Sequence, residues 1–398
     1  MRGGPPVADN RKGALSGLRV VEMAGIGPAP FAAMLLADMG ADVVRIDRQV
    51  ASGLGVPRPD RFNFAGRGRR SVALDLKRPE GIDCTLELID KADALVEGFR
   101  PGVMERLGLG PEVCHSRNPR LVFGRLTGWG QQGPLAQAAG HDLNYIALTG
   151  ALDAIGRRGQ PPTPPLNLLG DFAGGSLLMA FGIVSALLHA QRTGEGQVVD
   201  AAIVDGVSLL ATPLMGLQAA GVWPGGRGEN ILDSGAPQYD VYRCADDEYV
   251  SIAPIEGKFQ TVLLSAIGFD PAGFPDMNER ANWDEARRLL AERFSQKTRA
   301  EWCALLEGTD ACFAPVLSSA EAPSHPHHAE RGTFITVDGL VQPAPAPRFS
   351  GTPAAAPTPP EAPGQSGDAV LRDWGIAYQR IAELTTTGVL GRRNENAA

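Results

Sequence analysis

With 398 residues, 43% of them hydrophobic and 21% charged, the chain has the balance of a folded globular protein and length enough for two domains around a large core. A formal net charge of -8 argues against a nucleic-acid partner, because a phosphate backbone needs a basic face. It leaves room for a small anion held by a few clustered arginines. The five cysteines (Cys84, Cys114, Cys244, Cys303, Cys312) are scattered and form no CxxC pair, so they suggest neither a disulfide framework nor a metal site and suit a reducing compartment.

The segment Met1 to Lys12 is polar and rich in Gly and Pro, lacks the apolar run of a signal peptide and reads as a frayed extension. From Leu18 the pattern becomes strand, turn, helix, strand. Arg19 to Met23 is apolar and β-branched, and Ala24 to Pro30 is a Gly/Pro-rich turn with Pro30 suited to a first helical turn. Phe31 to Met39 is helical, Gly40 is a C-cap, and Val43 to Ile46 is the next strand. This βαβ unit predicts a parallel sheet with crossover helices. Further strands are expected at Ser71 to Asp75, Ala94 to Val96 and Leu121 to Phe123, with a helix over Pro79 to Lys91.

After Asp171 the sequence turns apolar. Ser176 to Ala190, broken by Gly182 and Ser185, is short for a membrane span and suits a buried helix. A strand at Val198 to Ala201 and a helix ending near Gln218 follow. Tyr239 to Cys244 and Glu248 to Ala253 read as a hairpin, with helices at Lys258 to Ile267, Trp283 to Phe294 and Arg299 to Leu306; Thr298 and Glu301 stand in capping-box spacing before the last. Gln342 to Gln365, crowded with Pro and Ala, reads as an extended surface linker before a final helix over Gly367 to Leu384. The expected class is α/β: a large open parallel sheet domain over 13–225 and 331–398, and a small α+β domain over 226–330.

Three segments could carry chemistry. Gly25-Ile26-Gly27-Pro28-Ala29-Pro30 begins like a dinucleotide loop but has Pro30 in place of the third glycine. Asp47 ends the second strand where a ribose-binding carboxylate would stand, but Arg48 suits a phosphate better. A tight βα turn without a ligand explains these residues as well. His141 follows the Gly-rich loop Thr127 to Pro134 and directly precedes an apolar helix start, so it reads either as a helix cap or as a site residue at the carboxyl edge of the sheet. Asp171 stands directly before a long apolar helix, where an N-cap belongs. A carboxylate there would be poised by backbone N–H groups that can also stabilise an oxyanion.

Seven pieces together resemble CoA-transferase family III: Gly17-Leu-Arg-Val-Val-Glu22, Leu36 to Arg48, Leu74-Asp-Leu-Lys77, Arg100-Pro-Gly-Val-Met-Glu-Arg106, Gly140 to Tyr145, Gly170-Asp-Phe-Ala-Gly-Gly175 and Gly196 to Ala201. The resemblance covers nearly the whole chain after the first dozen residues. Within that family, Gly-His-Asp-Leu-Asn-Tyr with His141 thirty residues before Asp171 is similar to the α-methylacyl-CoA racemases, as are Asp233 to Pro237, Ile255-Glu256 and Gly308 to Cys312. Ser234 departs from a usual glycine, away from the expected site.

The resemblance implies a Rossmann-like large domain in an interlocked homodimer. It implies that His141 and Asp171 are an acid/base pair, and that Glu256 approaches the histidine from the partner's small domain. Substrate contacts are implied at Arg48, Leu74, Asp75, Leu76, Lys77, Gly98, Phe99, Arg100, Arg106, Gly140, Asp142, Leu143, Asn144 and Tyr145. It implies no metal, and no cofactor beyond the CoA that is part of an acyl-CoA substrate. The expected location is the cytoplasm, with no membrane partner. Two alternatives stay open: a CoA-transferase using Asp171 as nucleophile, and a CoA-binding scaffold without turnover.

Overall fold

The computed structural model describes residues 12–50 and 52–392. The N-terminal extension up to residue 11 and the terminal Glu-Asn-Ala-Ala lie outside the described residues. The chain forms two compact units: Met1–Ile146, Asn167–Leu210 and Arg331–Ala398 make the first, Ala147–Leu166 and Ala211–Glu330 the second. The stretches 147–166 and 211–225, assigned from sequence to the large domain, group with the second unit instead.

In the first unit, β1 (Arg19–Met23), β2 (Asp42–Asp47), β3 (Arg70–Leu74), β4 (Ala94–Glu97), β5 (Val122–Thr127) and β6 (Val198–Ala202) form one parallel sheet in the order 3-2-1-4-5-6. A two-residue strand, Leu390–Gly391, closes the β3 edge antiparallel. The first five strands are short runs buried on both faces, as the interior of a parallel sheet requires, whereas β6 at the edge is exposed at Val198 and Asp200 and buried only at Ala201 and Ala202. Val21, Met23, Val44, Leu95 and Phe123 meet Leu371, Trp374 and Leu384 from the chain's end in one core. The order reverses between β1 and β4, and the crevice outside their carboxyl ends is where open α/β sheets bind ligands.

Some elements differ from the sequence reading. The first crossover helix begins at Pro28 rather than Phe31. The final helix is two, Gly367–Asp373 and Tyr378–Thr386, because Gly375 takes a left-handed φ of 74°. The helix expected to end near Gln218 is also two, Ile203–Leu210 and Thr212–Ala219. The Pro/Ala-rich linker begins inside a hairpin (Phe334–Val337 with Leu340–Pro343) and then binds back to the sheet: Arg45 donates to the Glu361 carbonyl and Gly364 N–H to Ser71 Oγ.

The apolar helix after Asp171 is only half covered. Met179, Ile183, Ala186, Leu187 and Ala190 face inward. Leu177, Phe181, Val184 and Leu188 face out, Phe181 being 71% exposed. The continuous helical segment Leu168–Thr193 is 26 residues, long and apolar enough by length and composition to cross a membrane. The expectation of a buried helix holds for one face only: one stripe packs on the sheet and another apolar stripe does not.

The second unit packs helices Gly257–Ala266, Trp283–Phe294 and Arg299–Leu306 on an antiparallel sheet of β7 (Asp240–Arg243), β8 (Tyr249–Ile252) and β9 (Phe313–Pro315). Tyr242, Val250, Leu263, Leu290, Phe294 and Trp302 form its core. Thr298 and Glu301 make the reciprocal capping box expected of them. Buried Asp240 binds both Arg157 and Arg287, and Arg227 binds Asp153. Those ion pairs explain why 147–166 joins this unit.

Candidate active site

Parallel strands deliver their following loops to one rim of the sheet, and this places most of the expected site residues. Arg48 follows β2, Asp75 to Lys77 follow β3, Gly98 to Arg100 follow β4, and the loop to Gly140 and His141 follows β5. Arg48, Lys77, Gly98, Arg100 and Arg106 are exposed. Leu74 is 1% exposed and its side chain belongs to the core, with Leu76 and Phe99 packed against it. Asp75 Oδ1 accepts the Lys77 N–H at 3.0 Å and shapes that turn.

The dinucleotide reading of the first turn finds no support in Asp47. Its carboxylate is buried, accepting Arg45 Nε at 2.6 Å and Ser71 Oγ at 2.6 Å. A ribose would have to displace both. The turn serves another group: the Cβ position of Gly27 lies 3.8 Å from Asp171 Oδ2. Asp171 therefore stands at the β1/β4 switch point.

Asp171 is not the N-cap that the sequence suggests. It lies inside a ten-residue π-helix, Leu168–Leu177, that runs into the helix Leu178–Thr193. Such i→i−5 turns are rare and concentrate at functional sites. This one docks on the start of the first crossover helix through Ser176 Oγ to the Pro28 carbonyl at 2.8 Å and through Phe172 on Phe31 at 4.7 Å between ring centres. The Asp171 carboxylate is held by a side chain, Asn167 Nδ2, at 3.2 Å, rather than by helical N–H groups. Its own N–H is taken by Asp142 Oδ1 at 2.6 Å. Burial pushes the Asp171 carboxyl above its ordinary range. The Asn167 hydrogen bond opposes the rise, the nearby Asp142 adds to it, and His141 opposes it.

His141, on the loop that follows β5, is thus within electrostatic reach of Asp171. It is exposed and immediately precedes the helix Asp142–Leu148. Its N–H donates to Asn144 Oδ1 at 3.1 Å, and its carbonyl accepts the N–H groups of Asn144 and Tyr145. Behind it, Tyr145 OH donates to the Gly140 carbonyl, and the Tyr145 ring stands edge-on to Trp129 at 4.7 Å. A Cβ on Gly128 would fall 2.0 Å from that ring, so only glycine fits there. Burial pushes the Tyr145 hydroxyl up; Asp171 adds to this and Arg100 opposes it, so those charges share its neighbourhood.

Asp142, expected to contact substrate, is instead 6% exposed and committed to Asp171. Leu143 and Asn144 are exposed. Glu256 belongs to the second unit, exposed at the N-cap position of Gly257–Ala266; burial raises the Cys312 thiol, and Glu256 lies near enough to add to the rise. Sequence reasoning missed Asn167, Trp129 and Ser176, whose types carry no signal by themselves. It also missed Glu97 and Arg125, which did: charged residues near the ends of otherwise apolar strands. Among the described residues, no group of three or more His, Cys, Asp and Glu is arranged to hold a metal ion.

Residues 15–366 match the model of CoA-transferase family III. The chain is 46% identical to α-methylacyl-CoA racemase of Mus musculus over 374 residues, covering 93% of this chain and 96% of that protein. It is 44% identical to α-methylacyl-CoA racemase of Homo sapiens, covering 95% and 97%. A crystal structure of a CAIB/BAIF family protein from Brucella suis superposes with a TM-score of 0.78 at 27% identity, covering 92% of this chain and all of that one. With its switch-point site and its match over nearly the full length, this chain belongs to CoA-transferase family III.

Proposed function

We propose that the protein is an α-methylacyl-CoA racemase, interconverting (2R)- and (2S)-2-methylacyl-CoA thioesters through an enolate. Inversion requires one group to take the α-proton from one face and another to return it on the opposite face. The observation that carries this reading is that His141, on the loop after β5, lies within electrostatic reach of Asp171, on the π-helix at the β1/β4 switch point, with Asp171 shifted toward holding its proton. Neutral His141 takes the proton while protonated Asp171 gives one; in the reverse direction the roles exchange. The C–H bonding pair becomes the enolate, and reprotonation at the same carbon restores the thioester, so no redox cofactor and no metal enter the balance. CoA enters with the substrate, its phosphates met by exposed arginines on the rim such as Arg48 and Arg106.

The outward stripe of Leu177, Phe181, Val184 and Leu188 supports a homodimer, since an apolar face of that kind marks an interface. In an interlocked pair, Glu256 of one copy would approach His141 of the other. The cytoplasm suits five free cysteines.

The test is α-deuterium uptake by a 2-methylacyl-CoA in D₂O. Wild type exchanges; His141→Ala and Asp171→Ala each lose at least about a hundredfold. A transferase would instead leave an acyl group on Asp171, trapped by hydroxylamine, and pass CoA to a free acid without exchange. That outcome overturns the racemase reading.

A further inference from the structure

Arg125 stands in the middle of a charged row across the carboxyl end of the sheet. On one side it pairs in register with Glu97 of β4, on the other with Asp200 of β6. Its Nε donates to Glu97 Oε1 at 2.9 Å, and its two terminal nitrogens to Glu105 Oε1 at 2.7 Å and Oε2 at 3.2 Å. Glu97 is wholly buried, and its other oxygen accepts the Phe99 N–H at 2.6 Å. Asp200 accepts the Gln131 N–H at 3.3 Å, in the loop that leads toward His141.

One guanidinium thus reaches the rim segment 98–106 at both ends. Through Glu97 it holds the peptide of the Gly98-Phe99-Arg100 turn. Through Glu105 it holds the short helix Val103–Arg106, which carries Arg106. An arginine suits this because its rigid fork fixes direction as well as charge. A cation placed only for fold stability has no need to brace both the end of β4, before the Gly98 turn, and the short helix that follows that turn. Burial raises the Glu97 carboxyl to about 7 although the Phe99 N–H and Arg125 both oppose the rise.

Resting on the racemase reading, we infer that Arg125, held between Glu97 and Glu105, is a positioning residue that presets the 98–106 rim for the CoA part of the substrate without touching the reacting carbon. The consequence is a split between binding and turnover. Arg125→Lys keeps the charge and loses the fork. Its dissociation constant for free coenzyme A, measured by titration calorimetry, and its KM for a 2-methylacyl-CoA should rise about tenfold. Deuterium exchange at saturating substrate should stay within about twofold of wild type. Glu97→Gln should give the same split, and combining it with Arg125→Lys should add little beyond either alone. Glu105→Gln alters only a half-exposed side chain and leaves the core intact, so its expected threefold rise in both constants holds even if the buried variants fold poorly.

Unchanged binding constants in Glu105→Gln, or a fall in saturated exchange at constant KM across the series, would overturn the inference while leaving the racemase intact. A wild-type protein that neither binds coenzyme A nor exchanges deuterium overturns the functional reading and this inference with it.

Discussion

The loop that carries His141 and the helical turn that carries Asp171 reach the same crevice by opposite means. Asp171 is partly buried on a π-turn wedged against the first crossover helix, its main chain bonded to Asp142 and its side chain to Asn167. His141 is exposed and fixed by local hydrogen bonds to Asn144 and Tyr145. On the proposed acid/base reading, the difference teaches how one chain sets two proton carriers for different duties. Packing withdraws the carboxyl from water and shifts it toward its protonated form, whereas the imidazole stays exposed.

If packing is what sets Asp171, crowding its turn should do the most damage. A Cβ on Gly170 would fall 2.3 Å from Asp142 Oδ1. Gly170→Ala must displace either the π-turn or Asp142, at a cost of about 1–3 kcal/mol. Exchange should drop on the order of 10- to 100-fold, and rates near wild type would show that the turn is soft. A finer probe is the pH profile of initial exchange in the direction where Asp171 donates. A carboxyl raised by burial is protonated below its pKa, so the high-pH limb of that rate falls as pH rises through the Asp171 pKa. Asp142→Asn keeps an acceptor for the Asp171 N–H but removes a charge that raises the Asp171 pKa; the midpoint should move to lower pH. The smallest effect is expected on the other side. Asn144→Ala removes one hydrogen bond to the exposed His141 peptide, worth about 0.5–1.5 kcal/mol, and should slow exchange only a few-fold. A loss as large as that of Gly170→Ala would erase the contrast between the two.

The six parallel strands were legible because each is a short β-branched run ended by a turn, and Thr298 with Glu301 announces its helix by chemistry alone. β9 was not, since Phe313–Pro315 is three residues long and ends in proline. Nor was the break after Asp373, which one glycine in a left-handed conformation decides. The π-turn escaped because hydrophobic spacing does not separate i→i−5 from i→i−4 bonding over ten residues. The stretch 147–166 went to the wrong unit because the acid that claims Arg157 lies 83 residues further on. At the site, His141 and Asp171 could be named from a resemblance to a family. Asp142, from the same motif, was assigned to substrate because a side chain that binds a neighbouring loop's peptide looks identical in sequence to one that binds a ligand.

The sheet also has a schedule. Arg45 meets the Glu361 carbonyl across 316 residues, and the strand that closes the β3 edge comes only at Leu390–Gly391. At on the order of 10 residues per second, a ribosome needs about half a minute between making the two halves of that contact. Throughout that interval β3 is an open template for any other strand. The segment from Glu361 to Gly391 thus acts as an internal seal on the nascent fold, and a chain cut short ahead of Leu390 would carry an almost complete core with one sticky side.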